Sequence, residues 1–319
     1  MEMTMAEERV HQLGTDALDL FSAKGTKGWF PAGDVNGVKV RRVMQLIRDF
    51  AGSPFEQLRI FDFGCGEGVY ALEAALRGAD VAGFDGRTER MDVGASLARR
   101  LGLANLKFEK ADVRDITVRS HGSADVILFL GILYHLDDRD IFPVLRNLHD
   151  MCKHLLIIDT HIALEVDYDA QHNGMSYEGR KIREHGDHDP EEVRRSRVGA
   201  SLDNALSFWF TRDSLCRALV DAGFTSGCES HAPFEPTKPA NRTTIIATRG
   251  EPVMLLSYPW VNNKTEEEIK RFLLKFEGTA QAQTVKPTGL SAKQRAQSAV
   301  NAVLRPLGVE IRRREPDGS

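Results

Sequence analysis

The sequence predicts an α/β fold built on a doubly wound, mostly parallel sheet. From residue 58 onward, short apolar runs alternate with segments of helical length. This alternation is typical of repeated βα units, and runs that are apolar throughout are expected where helices cover both faces of a parallel sheet. In addition, the first run leads directly into a glycine-rich turn at residues 62–68. Such folds bind ligands at this edge of the sheet.

The predicted strands follow the order of the apolar runs. These are LRIFDF from residue 58, DVAGFD from residue 80, LKFEKAD from residue 106, ADVILFL from residue 124 and HLLIID from residue 154. The later segment TRDSLCRALVDAGF predicts a helix, because Thr211 can cap its start, apolar residues recur at helical spacing, and Gly223 can end it. The segments SGCESHAP and RTTIIATRG then close the sheet as a hairpin.

Residues outside these units define the expected domain boundaries. Apolar spacing within residues 4–22 and 36–50 predicts a helical N-terminal cap over residues 1–50. The central domain is expected at residues 51–250 and a C-terminal appendage at 251–319. Within the central domain, residues 160–207 lose periodicity and are rich in polar residues, glycine and histidine. We interpret this segment as an inserted lid with little core of its own.

Composition and charge are those of an ordinary globular protein. Hydrophobic residues make up 42% and charged residues 28%, with a formal net charge of -4. This balance argues against a surface-wide affinity for nucleic acid or anionic membrane, which depends on many Lys and Arg. No apolar run approaches the ~20 residues of a membrane span. The acidic N-terminus has no apolar signal region, and the four cysteines form no CxxC pair, so a cytoplasmic protein with reduced thiols is expected.

Acidic residues end successive predicted strands around the glycine turn. Glycines allow the chain to turn sharply and to approach a ligand closely, because they carry no Cβ. Asp85 ends the second strand, where its carboxylate can accept hydrogen bonds from ribose hydroxyls, and Asp112 ends the third, where it can accept from an adenine amine. Together with Asp62, these carboxylates fit an adenosine that carries no phosphate.

The glycine spacing distinguishes between two kinds of cofactor. Dinucleotides require a GxGxxG turn that places a pyrophosphate at a helix N-terminus. This chain has GxGxG, with Glu67 inside the turn. A carboxylate there opposes a phosphate and tolerates a sulfonium and an ammonium group. A nicotinamide oxidoreductase is therefore disfavoured.

An acid followed by GxGxG resembles the first motif of the class I S-adenosylmethionine-dependent methyltransferases. The resemblance covers roughly residues 58–159 and extends more loosely through the final hairpin. It implies a seven-stranded, Rossmann-like methyltransferase domain, with S-adenosylmethionine as cofactor. The cofactor-binding residues that it implies are Asp62, Gly64, Cys65, Gly66 and Gly68 for the methionine end, Asp85 and Gly86 for the ribose, Asp112 and Val113 for the adenine, and Gly131 beside the cofactor.

The acceptor side is expected where the fourth strand ends in GILYHL. This segment resembles the fourth motif of small-molecule and some tRNA-modifying methyltransferases, in which a Tyr-His or similar pair follows the strand. His135 is the candidate base, although an imidazole there can also simply cap a helix or bind a carbonyl. Tyr134 is a candidate either to react or to position the acceptor. Further candidates for the acceptor pocket are Trp209, His161 and His172. His185 and His188, three residues apart, raise the alternative of a metal site, but histidines in a polar loop are usually solvated and no metal is expected.

Several acceptors remain open. The chain lacks both the Asn- or Asp-Pro-Pro-aromatic motif of base-amine methylases and the Pro-Cys nucleophile of cytosine C5 methylases, so DNA is not expected. A small molecule with a hydroxyl, amine or carboxyl group is the primary prediction. A basic end over residues 286–314 and a local likeness of GILYHL and SFWFTRDSL to tRNA wobble-uridine methyl- or carboxymethyltransferases make RNA the alternative. A non-catalytic cofactor-binding module is a third, and the oligomeric state is left open.

Overall fold

A computed structural model of the protein describes residues 35–235, 238–265, 267–269 and 271. The chain divides into two compact units, Met1–Glu251 and Pro252–Ser319. Two features predicted from sequence lie outside the described residues: the helical segment at residues 4–22 and the basic end at residues 286–314.

The first unit contains a seven-stranded sheet, as predicted. Its strands are β1 (Arg59–Phe63), β2 (Asp80–Asp85), β3 (Leu106–Lys110), β4 (Ala124–Leu130), β5 (Cys152–His161), β9 (Ser226–Glu229) and β10 (Arg242–Thr248). Their spatial order is β3-β2-β1-β4-β5-β10-β9. The first five are parallel, whereas β10 is antiparallel to both of its neighbours. The doubly wound fold and the closing hairpin are thus confirmed.

Helices cover both faces of this sheet. The helices with buried residues are α1 (Val35–Phe50), α2 (Val69–Leu76), α3 (Thr88–Arg100), α5 (Asp138–Met151) and α7 (Arg212–Ala222). Two short helices, α4 (Val118–His121) and α6 (Glu191–Ser196), have none. Successive strand residues point to opposite faces, so Ile60 belongs to a core shared with α1, α2 and α3, and Phe61 to a core shared with α5 and α7. This double burial explains why the strands are apolar along their whole length.

The strand order reverses between β1 and β4. The chain runs outward from β1 to β3 and then returns to place β4 on the other side of β1. The loops after β1 and β4 therefore diverge and leave a crevice at the carboxyl edge of the sheet. Both the glycine turn and the GILYHL segment lie at this reversal.

The inserted segment forms a second sheet. Strands β6 (Tyr168–His172), β7 (Met175–Arg183) and β8 (Leu206–Phe210) pair antiparallel in the order β6-β7-β8. Tyr177 and Phe208 are fully buried and join the core on the α5 and α7 face. The expectation of little core in this segment is therefore wrong for its strands, since only alternate residues face inward and the outward polar residues mask the pattern.

The described part of the second unit is short. A single 3-10 turn spans Pro259–Val261. The side-chain amide of Asn262 closes a local loop, because its oxygen accepts from the Leu255 N–H at 2.7 Å and its nitrogen donates to the Leu255 carbonyl at 3.1 Å. Across the residues that the structure describes in either unit, no helix is both long and apolar enough to cross a membrane.

Candidate active site

A cavity lies at the strand reversal, at the carboxyl edge of the sheet. It brings together nine of the ten cofactor-binding residues expected from sequence, namely Asp62, Gly64, Cys65, Gly66, Asp85, Gly86, Asp112, Val113 and Gly131. His135 lines the same cavity. Gly68, at the end of the turn, is not among the lining residues and instead lies at the start of α2.

The turn after β1 requires glycine. Gly64 and Gly66 have φ angles of 65° and 56°, in the left-handed region that residues with a Cβ seldom adopt. A Cβ at Gly64 would also collide with the side chain of Ile132, in the loop after β4. The two loops that border the crevice thus pack directly against each other, and Gly64, Gly66 and Ile132 all line the cavity.

Asp62 is a fully buried acid at the cavity wall. Burial raises the pKa of Asp62 to about 8, an effect that a hydrogen bond from the Ala71 backbone opposes and the charge of Asp85 reinforces. Its Oδ2 is buried without a hydrogen-bond partner among the described residues. An unpaired buried carboxylate is costly, and a cationic ligand group beside it would supply the missing partner. This orphaned oxygen fits the ammonium group of a methionine moiety.

Glu67 does not give the turn a free negative charge. Arg90, from α3, donates from Nε to Glu67 Oε1 at 3.0 Å and from Nη2 to Oε2 at 2.6 Å. The charge is therefore balanced within the protein. Contrary to the expectation from sequence, Glu67 therefore does not by itself oppose a phosphate, and the GxGxG spacing alone distinguishes the two kinds of cofactor.

Asp85 and Asp112 end neighbouring strand units in the same local geometry. Asp85 Oδ1 accepts from the backbone N–H of Arg87 at 2.8 Å, and Asp112 Oδ1 accepts from that of Arg114 at 2.9 Å. Asp85 Oδ2 also accepts from the Gly66 N–H at 2.9 Å. Each Asp85 oxygen retains a second lone pair, so the carboxylate can still accept from a ligand hydroxyl.

The Asp112 side chain is more heavily engaged than that of Asp85. Arg114 binds both of its oxygens through Nε and Nη2. Burial raises the pKa of Asp112, but the hydrogen bonds and charge of Arg114 outweigh that effect and hold the pKa below its usual value. Arg114 also contacts Asp203, at 2.7 Å.

Part of the inserted segment covers this side of the cavity. The covering loop, residues 197–204, follows α6 and contributes Val198, Ala200, Ser201, Leu202, Asp203 and Asn204 to the lining. The Arg87 guanidinium donates to four backbone carbonyls in and just before this loop, those of Arg195, Arg197, Ala200 and Ser201. A Cβ on Gly86 would meet the Leu202 side chain, so the loop packs closely against the end of β2.

His135 lies in a 3-10 turn, Leu133–His135, directly after β4. Its Nδ1 is 2.9 Å from Oε1 of Glu184, a residue of the inserted segment just after β7. The Glu184 side chain is only 7% exposed and that of His135 18%. The imidazole is thus anchored at one nitrogen and lines the cavity.

Three other expected acceptor residues form an aromatic cluster beside His135, whose ring centroid lies 4.2 Å from that of Tyr134. Tyr134, His161 and Trp209 contact one another, with ring centroids 4.7 to 6.1 Å apart. Trp209 Nε1 donates to the Tyr134 carbonyl at 2.9 Å, and Arg242 lies 5.0 Å from the centroid of the Tyr134 ring. None of the three aromatic residues lines the cavity described above.

His172, a candidate for the acceptor pocket, and His185, considered for a metal site, both make contacts within the protein. His172 stacks on Phe142 of α5, with centroids 4.3 Å apart and planes within 1°, and it does not line the cavity. His185 is buried, and its Nε2 lies 2.9 Å from the Ser201 carbonyl. That ring nitrogen therefore donates to the covering loop.

Sequence reasoning missed several residues of the site. Arg87 and Arg114 had a usable signal, since each stands two residues after an acid that ends a strand unit, in Asp85-Gly-Arg and Asp112-Val-Arg. Glu184 had none, because it is 49 positions from His135, and only the second sheet brings the two together.

The chain matches known methyltransferases over the elements that build this cavity. The family model described as a methyltransferase domain matches residues 37–228, more than half of the chain. Ubiquinone biosynthesis O-methyltransferase of Sinorhizobium medicae is 27% identical over 154 residues, which are 43% of this chain and 60% of that protein. The Mesorhizobium japonicum enzyme of the same name is 29% identical over 150 residues, which are 43% and 59%. The matched region thus spans about three fifths of these relatives.

A solved structure has the same fold. The N-terminal domain of EvdMO1, crystallised in the presence of SAH and D-fucose, covers 78% of this chain and 100% of that domain, with a TM-score of 0.55 and 20% identity. The family match, the confirmed fold and the glycine turn with its flanking acids agree. The chain therefore belongs to the methyltransferase-domain family and has the class I, Rossmann-like fold of S-adenosylmethionine-dependent methyltransferases.

Proposed function

We propose that this enzyme methylates a hydroxyl oxygen of a small molecule, with His135 as the base that removes the proton. The observation that carries the proposal is the position of His135, on the wall of the same cavity as the glycine turn and Asp85. Among the described residues that line this cavity, it is the only one with an imidazole. A hydroxyl is a weak nucleophile until it loses its proton, and histidine is the side chain best suited to accept that proton near neutral pH.

The cofactor-binding residues are assigned by their chemistry. Asp62 and the glycine turn hold the amino-acid end, Asp85 accepts from the ribose, and Asp112 with Val113 borders the adenine. S-adenosylmethionine, when bound, supplies a methyl carbon made electrophilic by the sulfonium. The protein contributes alignment, exclusion of water by the covering loop, and a proton acceptor.

The relatives support an oxygen acceptor of low molecular weight. The names of the matched Sinorhizobium and Mesorhizobium proteins specify O-methylation in ubiquinone biosynthesis. The proposal takes from them the acceptor atom and the molecular class, not the compound. RNA remains the competing acceptor, and the test below includes it.

The test is a transfer assay with methyl-labelled S-adenosylmethionine. The full chain is incubated separately with a small-molecule extract and with the RNA of the cells from which the gene comes. We expect label in the small-molecule fraction, in products whose new methyl group resists acid as an ether does, and no label with His135→Asn. Label in RNA alone, on nitrogen alone, or undiminished label with His135→Asn would each overturn the proposal.

A further inference from the structure

The donor and the acceptor in the hydrogen bond between Glu184 and His135 can be assigned. The two side chains approach within 2.9 Å through Glu184 Oε1 and His135 Nδ1. Burial raises the pKa of Glu184, but its hydrogen bond with His135 and the other hydrogen bonds that it accepts outweigh burial and hold that pKa below its ordinary value. Glu184 is thus ionised near neutral pH, and an ionised carboxylate can only accept a hydrogen bond.

The His135 tautomer follows from this direction. Nδ1 must carry the proton that it donates to Glu184, so a neutral imidazole has its basic lone pair on Nε2. No hydrogen bond to Nε2 occurs among the described residues that contact His135. The free nitrogen of a ring that lines the cavity is therefore the one able to accept a proton.

The inserted segment also fixes the position of both groups. Glu184 Oε2 accepts from the Ser201 N–H at 3.0 Å, so the carboxylate is held by the covering loop. Asn204, in the same loop, donates from Nδ2 to the His135 carbonyl at 2.9 Å and to that of Leu206 at 2.7 Å. The histidine is thus tied to the loop through its ring, by way of Glu184, and through its backbone.

We propose that Glu184 is a positioning residue for methyl transfer, which holds His135 in the Nδ1–H tautomer so that Nε2 acts as the base. The inference rests on the proposed function and deepens it. His135 Nε2 takes the hydroxyl proton as the acceptor oxygen bonds to the methyl carbon, and the carbon–sulfur bond breaks with its electron pair remaining on sulfur. The resulting imidazolium is stabilised by the adjacent carboxylate, which stays ionised.

The decisive measurement reads the tautomer directly and needs no acceptor. Side-chain nitrogen NMR of 15N-labelled protein saturated with S-adenosylhomocysteine is recorded at a pH where the imidazole is neutral, and the His135 signals are assigned by their loss in His135→Asn. We expect the proton on Nδ1 in the unmodified protein. In Glu184→Gln we expect a shift toward the Nε2–H form. A proton on Nε2 in the unmodified protein, or an unchanged tautomer in Glu184→Gln, would refute the assignment.

A kinetic comparison separates positioning from folding. The accepting fraction from the label-transfer assay serves as substrate for Glu184→Gln and for the control Glu178→Gln, which removes an exposed carboxylate from β7. We expect kcat to fall by about 100-fold in Glu184→Gln, in the range of general-base effects, with the KM for S-adenosylmethionine within about threefold and the control unchanged. Equal loss in both variants, or a loss confined to KM, contradicts positioning.

The two proposals fail in different ways. If no fraction accepts label, or if only RNA does, the proposed function falls, while the NMR experiment still decides the tautomer. If small molecules accept label but Glu184→Gln is fully active, the proposed function stands and the role of Glu184 is wrong.

Discussion

The carboxylate of Asp85 accepts a hydrogen bond from the Gly66 backbone N–H at 2.9 Å, which joins the end of β2 to the turn that follows β1. A second hydrogen bond, from the Arg87 N–H at 2.8 Å, fixes the other oxygen. The acid proposed to bind the ribose is therefore also the acid that shapes the glycine turn. Cofactor affinity and local order in the turn are expected to change together.

Asp85→Asn tests that double role. The amide can replace only one of the two accepting oxygens, so either a backbone N–H or a ribose hydroxyl loses a charged partner, each worth roughly 1.5 to 3 kcal/mol. We expect calorimetry to show affinity for S-adenosylhomocysteine reduced by roughly 10- to 150-fold. Asp80→Asn, at the exposed start of the same strand, serves as the control. Equal affinity in the two variants would disprove ribose binding by Asp85.

Asp62 is expected to release its proton when the cofactor binds. With its pKa raised by burial to about 8, the carboxyl is mostly protonated at pH 7, and an ammonium group placed beside it favours the ionised form. Calorimetry in buffers of different ionisation enthalpy should show release of up to about one proton with S-adenosylhomocysteine. Binding of methylthioadenosine, which lacks the amino acid, should release no proton. The Asp62→Asn variant should release no proton with either ligand. Equal release by the two ligands would place the amino acid elsewhere.

The same pKa predicts how the stability of the ligand-free protein depends on pH. The folded state holds the Asp62 proton between pH 3.8 and about 8, whereas the unfolded chain releases it near the lower value. Unfolding is therefore favoured as pH rises through this window, by at most ~1.4 kcal/mol per pH unit from this group. Denaturant titrations should show Asp62→Asn gaining stability relative to the unmodified protein from pH 5 to pH 8. A constant difference would mean that Asp62 is ionised throughout.

Arg87→Lys should loosen the covering loop. The guanidinium donates to four backbone carbonyls, and an ammonium group with three donors cannot span them. We expect S-adenosylhomocysteine to dissociate roughly tenfold faster in stopped-flow measurements, because a loss of ~1.4 kcal/mol corresponds to one decade. Arg99→Lys on α3 is the matched control, since Arg99 is exposed and its Nε makes a long hydrogen bond to the Ala95 carbonyl, at 3.4 Å. Dissociation at the rate of the control would show that the loop does not retain the cofactor.

Phe208→Ala tests whether the second sheet belongs to the main core. Phe208 is fully buried on β8, so truncation should cost about 3 to 5 kcal/mol of unfolding free energy in denaturant titrations. Phe234→Ala, at a side chain that is 79% exposed, should change it by less than ~0.5 kcal/mol. A similar, small cost for both would indicate that the sheet detaches without affecting the rest of the domain.

Local sequence patterns were sufficient to predict the strands of the main sheet and the cavity residues around the glycine turn. The strand from Arg59 to Phe63, the turn at Gly64 and the acid Asp85 are recognisable because each is defined by neighbours within a few residues. Pairings between distant residues carry no such pattern. The partners of Glu184 and Glu67 depend on how segments pack. The same holds for Trp209 and His161, which stack on each other and do not themselves line the cavity.

The hydrogen bond from the Ser201 N–H to Glu184 links the covering loop to the residue proposed to position His135. If residues 197–204 lift to admit or release the cofactor, that donor is withdrawn from the carboxylate beside His135. Under the proposed mechanism, His135 would then have its weakest support as a base while the methyl donor enters or leaves.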